Sequence, residues 1–223
     1  MPSCRKYLLY LRQEAKVIMK ESLEYKVLRK IKKARGGALF FSDDFVSFGS
    51  SKAILKALQR LVEKEEIVRI SRGIYCRPKI SKLLNEPILP TVDDIAKAIA
   101  KRDRARILPT GAYALNAIGL STQVPMNVVY LTNGSARKIT IGKRRILFKK
   151  TAPKNLEAQG EISRLVIQAL KELGQGNVTP GEKVKVVELL SKETPDRLEN
   201  DIRLAPEWIR KIMRLALQKS STE

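Results

Sequence analysis

The stretch GSSKAILKALQRLVEKEEIVRISRGIYCRP, Gly49 to Pro78, constrains the fold more than any other part of this chain. On a helical wheel at 100° per residue, Lys52, Lys56, Gln59, Arg60 and Glu63 fall in one polar arc. Ile54, Leu55, Leu58, Leu61 and Val62 are expected in the opposite, core-facing arc. Ser50 or Ser51 is placed to cap the helix by accepting from backbone N–H groups that lack a partner in the first turn. Ile67-Val68-Arg69-Ile70 then reads as a short strand. Ser71-Arg72-Gly73 reads as a tight turn, with Gly73 free to take positive φ, and Ile74-Tyr75-Cys76 as the returning strand. A two-faced helix followed at once by a hairpin carrying Arg69, Arg72 and Arg77 has the order of a winged helix-turn-helix.

The preceding residues complete that order. Ser22 is a cap for a helix over 22–35, with Leu23, Val27, Ile31 and Ala34 as its apolar stripe and Lys26, Arg29, Lys30, Lys32, Lys33 and Arg35 around it. Gly36-Gly37 stops it. Ala38–Phe41 is expected as a small strand against the hairpin. Ser42-Asp43-Asp44 starts a short second helix, from which Phe45, Val46 and Phe48 are expected to face inward. Residues 1–21 form a basic arm, either a helix packed on the body or a frayed terminus.

A net charge of +21 on 223 residues opposes compaction, so it points to an anionic partner rather than to a requirement of the fold. Both halves share it: residues 1–90 carry 20 basic and 9 acidic side chains, and 91–223 carry 24 and 14. Histidine is absent, which removes the commonest general base and metal ligand. The two cysteines, Cys4 and Cys76, form no metal-ligand spacing and read as thiols of a cytosolic protein. No metal or cofactor is expected. No apolar run approaches membrane-spanning length, so a cytoplasmic, nucleoid-associated protein is expected, without a membrane partner.

Residues 81–90, with Pro87 and Pro90, read as a linker to a second domain over 91–223. Thr91 caps a helix reaching about Arg102, Arg106–Thr110 is extended, and Gly111–Ile118 is a compact helix ended by Gly119. Strands are expected at Asn127–Thr132, Arg137–Ile141 and Arg145–Lys149. Asn133-Gly134 is a hairpin signal between the first two, and Gly142-Lys143 turns the chain into the third. From Arg104 to Leu156 there is no acidic residue but ten basic ones, a composition suited to phosphates. The competing expectation is that these cations pair with carboxylates of the later helices. The remainder is helical, with starts at Thr179-Pro180 and Thr194-Pro195 and a last helix after Pro206, in which Trp208 is a core anchor. The tail acids Glu182, Glu188, Glu193, Asp196, Glu199 and Asp201 sit at helix-surface spacing. The fold class is therefore α+β: a winged helix-turn-helix over 22–80, then a basic α/β domain with a small antiparallel sheet packed by helices.

Phe48–Pro78, with its RGIY turn, and LPTGAYALNAIGLSTQVPMNVVYLTNG, Leu108–Gly134, followed by IGKRRILFKKT, resemble the AbiEi-type antitoxins of type IV toxin–antitoxin systems. The resemblance covers about residues 22 to 155. It implies a DNA-binding N-terminal domain that represses its own operon at inverted repeats. It also implies a nucleotidyltransferase-like toxin as a genetic rather than a stable physical partner. Carried over, Ser50, Ser51, Lys52, Lys56, Gln59 and Arg60 would face the major groove, and Arg69, Arg72 and Arg77 would lie by the backbone.

The function expected is sequence-specific binding of double-stranded DNA. Arg137, Lys138, Lys143, Arg144 and Arg145 of the acid-free stretch add further phosphate contacts. RNA binding through the same surfaces is the alternative, although no exposed aromatic platform is visible. An enzyme is not expected, because no nucleophile motif, phosphate loop or carboxylate cluster is present.

Overall fold

The computed structural model describes residues 22–81 and 86–220. The basic arm expected over 1–21 lies outside the described residues. The chain is a mixed α and β protein with small sheets, and it divides into two compact units between Thr91 and Val92.

In the first unit, α1 (Leu23–Lys33) is capped by Ser22, whose hydroxyl accepts from the Tyr25 N–H. It buries Val27 and Ile31. β1 (Leu39–Phe41) leads into a 3₁₀ helix (Ser42–Phe48), then α2 (Ser51–Glu63) and the hairpin of β2 (Val68–Ser71) and β3 (Ile74–Cys76). β3 is the central strand, antiparallel to both neighbours, with Phe40 opposite Tyr75. Gly73 takes φ +72° at the turn. The core joins Val27, Ile31, Phe40, Phe45, Ile54, Leu58, Leu61, Ile67 and Tyr75.

Two inward expectations fail here. Val46 is exposed, because residues 42–48 form a 3₁₀ helix whose period of three keeps Phe45 and Phe48 in one row and leaves Val46 outside it. Leu55 is 46 % exposed. It lies about 110° from the middle of the buried stripe of Ile54, Ala57, Leu58 and Leu61, so it belongs to the flank. The linker expected over 81–90 contains structure at its edges: β4 (Lys79–Ile80) pairs antiparallel with β5 (Pro87–Ile88).

The second unit opens with α3 (Val92–Arg102), followed by β6 (Ile107–Thr110), α4 (Ala112–Ala117), β7 (Asn127–Thr132), β8 (Arg137–Ile141) and β9 (Arg144–Lys150). The strand order is β6-β7-β9-β8. The expected β7–β8 hairpin does not form: β9 lies between them, parallel to β7 and antiparallel to β8. Asn133 instead accepts from the Arg106 N–H at 2.8 Å, tying the corner to the start of β6. A Cβ on Gly134 would meet that of Ala105 at 2.8 Å, so this position needs its glycine for close approach. Pro109 is accommodated because β6 is an edge strand. The sheet is thus mixed, not purely antiparallel.

Four helices complete the unit: α5 (Glu161–Leu173), α6 (Pro180–Leu190), α7 (Pro195–Ile202) and α8 (Glu207–Ser220). Their core includes Val166, Leu170, Val186, Leu190, Leu198, Ile209 and Met213, with Ala114 of α4. Trp208 is only partly buried against it. Two tail carboxylates are held by backbone amides. Asp201 is completely buried and accepts from the Gln159 and Gly160 N–H groups, each at 2.8 Å, and from the Ser163 hydroxyl. Glu193 accepts from the Ile162 N–H at 2.9 Å. These acids, brought from later in the chain, supply the cap that Gly160 itself has no side chain to give.

Candidate nucleic-acid interface

The polar face of α2 is open. Ser51, Lys52, Lys56, Gln59 and Arg60 are all exposed. Ser50 is the helix cap, its hydroxyl accepting from the Ala53 N–H at 3.4 Å. Neither Lys52 nor Lys56 has an ion pair or a side-chain hydrogen bond among the described residues. Gln59 donates to Glu63 at 3.1 Å within the helix. Arg60 lies on the flank towards α1, where the Glu24 carboxylate stands 4.0 Å away. Lys64 holds that carboxylate more closely, and the Arg60 side chain remains 65 % exposed. An ion pair at that distance and exposure contributes little and exchanges readily for a phosphate.

The opposite flank of α2 faces the hairpin. Leu55, Gln59 and Val62 line a cleft of about 320 Å³ with Arg69, Arg72, Gly73 and Tyr75. Arg69 and Arg72 are exposed, and among the described residues neither pairs with a carboxylate. The structure therefore brings together Lys52, Lys56, Gln59, Arg69 and Arg72 on neighbouring surfaces, with the exposed Leu55 between them.

Arg77 is a correction. Its guanidinium donates to the Lys32 carbonyl at 2.8 Å and to the Ala34 carbonyl, closing the C-terminus of α1. Those carbonyls would otherwise lack partners, so Arg77 has an architectural role at the end of α1. At the end of β3, buried Cys76 is a free thiol whose burial pushes its pKa up to about 11, so it is unreactive at neutral pH.

A basic cleft absent from the expected site lies beside α1. Lys26, Arg29, Lys30 and Lys33 surround Phe48 in a space of about 290 Å³. Lys30 sits over the Phe45 and Phe48 rings, 5.2 and 5.5 Å from their centroids. The density of cations on α1 was the available signal, but an evenly coated helix does not say which side is left open.

In the second unit, strand alternation sorts the acid-free stretch. Ile139, Ile146, Phe148, Val128 and Tyr130 share the inner face of the sheet. Tyr130 is fully buried and donates to Asp93 of α3 at 3.0 Å; burial, then the Asp93 charge, raises its pKa. Lys138, Thr140, Arg145, Leu147 and Lys149 share the outer face, with Lys138 opposite Leu147 and Thr140 opposite Arg145. α5 covers this face at β6, where Leu108 and Ile167 meet, but Lys138, Arg145 and Lys149 are exposed. Lys143 and Arg144 are exposed at the β8–β9 turn.

Arg137 is the second correction. The register places it opposite Phe148 on the inner face, where its guanidinium lies 5.5 Å from that ring and pairs with Asp103. Burial, then the charge of Arg102, lowers its pKa. A guanidinium engaged in this way is not available to a phosphate. The other nine cations between Arg104 and Leu156 have no carboxylate partner among the described residues, so the expected pairing with later helices does not occur there.

Among the described residues, no group of three His, Cys, Asp or Glu side chains could hold a metal ion, and no helix is long and apolar enough to cross a membrane. No curated protein matches the chain. A family model does, over residues 26–198, a span that contains the α2 face, the hairpin and the whole basic sheet. The chain therefore belongs to DUF6088, a family of unknown function.

Proposed function

We propose that this protein is a sequence-specific DNA-binding transcriptional regulator, with residues 22–80 acting as a winged helix-turn-helix. The observation that carries the reading is the open face of α2. Lys52 and Lys56 project without carboxylate partners, and Gln59 stands beside a cleft edged by Arg69 and Arg72. An α-helix fits the major groove, where an amide or guanidinium can read base edges bidentately while lysines meet phosphates. Arg69 and Arg72 on the β2–β3 hairpin would hold the flanking backbone. Lys138, Lys143, Arg144, Arg145 and Lys149 would add a sequence-independent, salt-sensitive attraction.

Within this reading, repression of its own operon at inverted repeats, in the manner of an AbiEi-type antitoxin, is the biological role proposed. A nucleotidyltransferase-like gene beside this one would support it. No catalytic step is assigned to the chain.

The test is a gel shift against the protein's own promoter, with random duplex DNA and a structured RNA as competitors. Tight binding that random DNA and RNA fail to displace is expected. Binding no tighter than to random DNA would remove sequence readout, and preferential displacement by RNA would replace DNA with RNA as the ligand.

A further inference from the structure

On the helical side of the second unit lies a groove of about 600 Å³, bounded by Gln175, Val178, Lys183, Glu207, Trp208, Lys211, Ile212 and Leu215. Val178 and Ile212 form its floor, nearly buried, while Trp208 is half-buried and Leu215 is exposed. On α8, Trp208, Ile212 and Leu215 lie four and three residues apart. They make one apolar stripe about two turns long: Ile212 and part of Trp208 pack on the core, while the stripe ends in the exposed Leu215. Its open end offers a small apolar foothold set among charged residues.

We infer that this groove docks an acidic amphipathic helix from a protein partner. The rim decides the chemistry. Lys183 and Lys211 are exposed, and neither pairs with a carboxylate among the described residues. The one acidic side chain in the lining, Glu207, is already engaged by Arg210 at 3.4 Å and Arg214 at 3.6 Å. The groove is therefore apolar within and cationic at its edge. That combination matches a helix whose anchors at i, i+3 or i+4 and i+7 fill the trough while its Glu or Asp residues meet the two lysines. A second copy of this chain would bring the same lysines against themselves. A nucleic acid would find one aromatic ring in an aliphatic trough, without the run of stacking platforms that single strands require. The inference is independent of the DNA-binding reading, since none of these residues belongs to that interface.

Trp208 is the only tryptophan in the chain, so its fluorescence reports on this groove alone. The probe is a synthetic amphipathic helix of Leu, Ala and Glu, compared with the same peptide in which every Glu is Lys. A saturable blue shift with the acidic peptide is expected, with affinity at least tenfold above that of the basic one. Leu215→Asp should abolish the shift, and Lys183→Glu with Lys211→Glu should reverse the charge preference. Neither change touches a buried residue, and circular dichroism of the variants checks that they are folded. Equal response to both peptides, no response to either, or a stronger response to a single-stranded oligonucleotide would overturn the inference. So would a spectrum that shifts with protein concentration alone, which would point to a second copy in the groove.

Discussion

The two units present positive charge in opposite ways. On α2 the cations share a helix and its surroundings with carboxylates, and pairing thins them: Glu24 draws Arg60 and Lys64. The cations left over are few, Lys52 and Lys56, and both lie on one exposed helix face. On the outer sheet face no such thinning occurs, because no acid lies between Arg104 and Leu156. Asp103, just before this stretch, pairs with Arg102 and with the inner-face Arg137. A small set of donors on one helix face suits discrimination between bases, whereas an unneutralised field suits attraction to any phosphate backbone.

The largest effect that would sharpen this contrast concerns stability. Asp201→Ala removes the acceptor of three donors, the part-buried Gln159 N–H and the buried Gly160 N–H and Ser163 O–H. It should cost the second unit about 3–5 kcal/mol. Denaturant unfolding followed by Trp208 emission, which belongs to that unit, should shift strongly to lower midpoint. An unchanged midpoint would mean that the cap is dispensable.

Next come the two proposed binding surfaces. Lys56→Glu with Arg60→Glu should weaken promoter binding by about 100-fold, which is about 2.7 kcal/mol. Lys171→Glu with Lys192→Glu should have little effect. Lys138→Glu with Arg145→Glu should weaken specific and random DNA alike and flatten the salt dependence of binding by roughly two phosphate contacts. If the sheet pair altered specificity and the helix pair did not, the division of labour would be the reverse of that proposed.

Arg77→Ala separates an architectural cation from a binding one. It should lower the stability of the first unit by about 1–2 kcal/mol through loss of the cap on α1, read as a fall in midpoint temperature. Below that temperature, DNA affinity should stay within twofold of the original. A large loss of affinity in a folded variant would return Arg77 to the interface.

The smallest effect lies at the start of α6. Hydrogen bonds from the Thr179 N–H and hydroxyl hold the Glu182 pKa below its ordinary value of 4.5. A depressed carboxylate stabilises the fold above its unfolded pKa, and that contribution is lost as pH falls through the folded value. Glu182→Gln should therefore remove a small part of the acid sensitivity below about pH 4.5 and leave stability near pH 7 changed by only tenths of a kcal/mol. An identical acid transition in both proteins would show that the capping box contributes nothing measurable.

Much of this architecture was legible locally. The stripes of α1 and α2, the Gly73 turn, the caps at Ser22 and Thr179 and the spans of β7 and β8 follow from period, propensity and end signals, all of which act over a few residues. What escaped depends on partners distant in sequence. Asn133-Gly134 has the composition of a two-residue hairpin, yet the insertion of β9 is decided by pairing across the sheet. Alternation alone could have separated Arg137 from Lys138, but which face is covered depends on where α3 and α5 pack. Asp201 has the spacing of a surface acid, and its burial is fixed by amides some forty residues earlier. The open face of α2 was readable; the capture of Arg77 by α1, across more than forty residues, was not.

That remote cap has a consequence for synthesis. The ribosome delivers α5 well before Asp201, so the helix first emerges with its leading amides turned to water alone. Glu193 follows once α6 is made, and Asp201 only when α7 is nearly finished. The second unit is thus sealed from its far end, and a chain halted near residue 190 would hold an α5 lacking both Glu193 and Asp201.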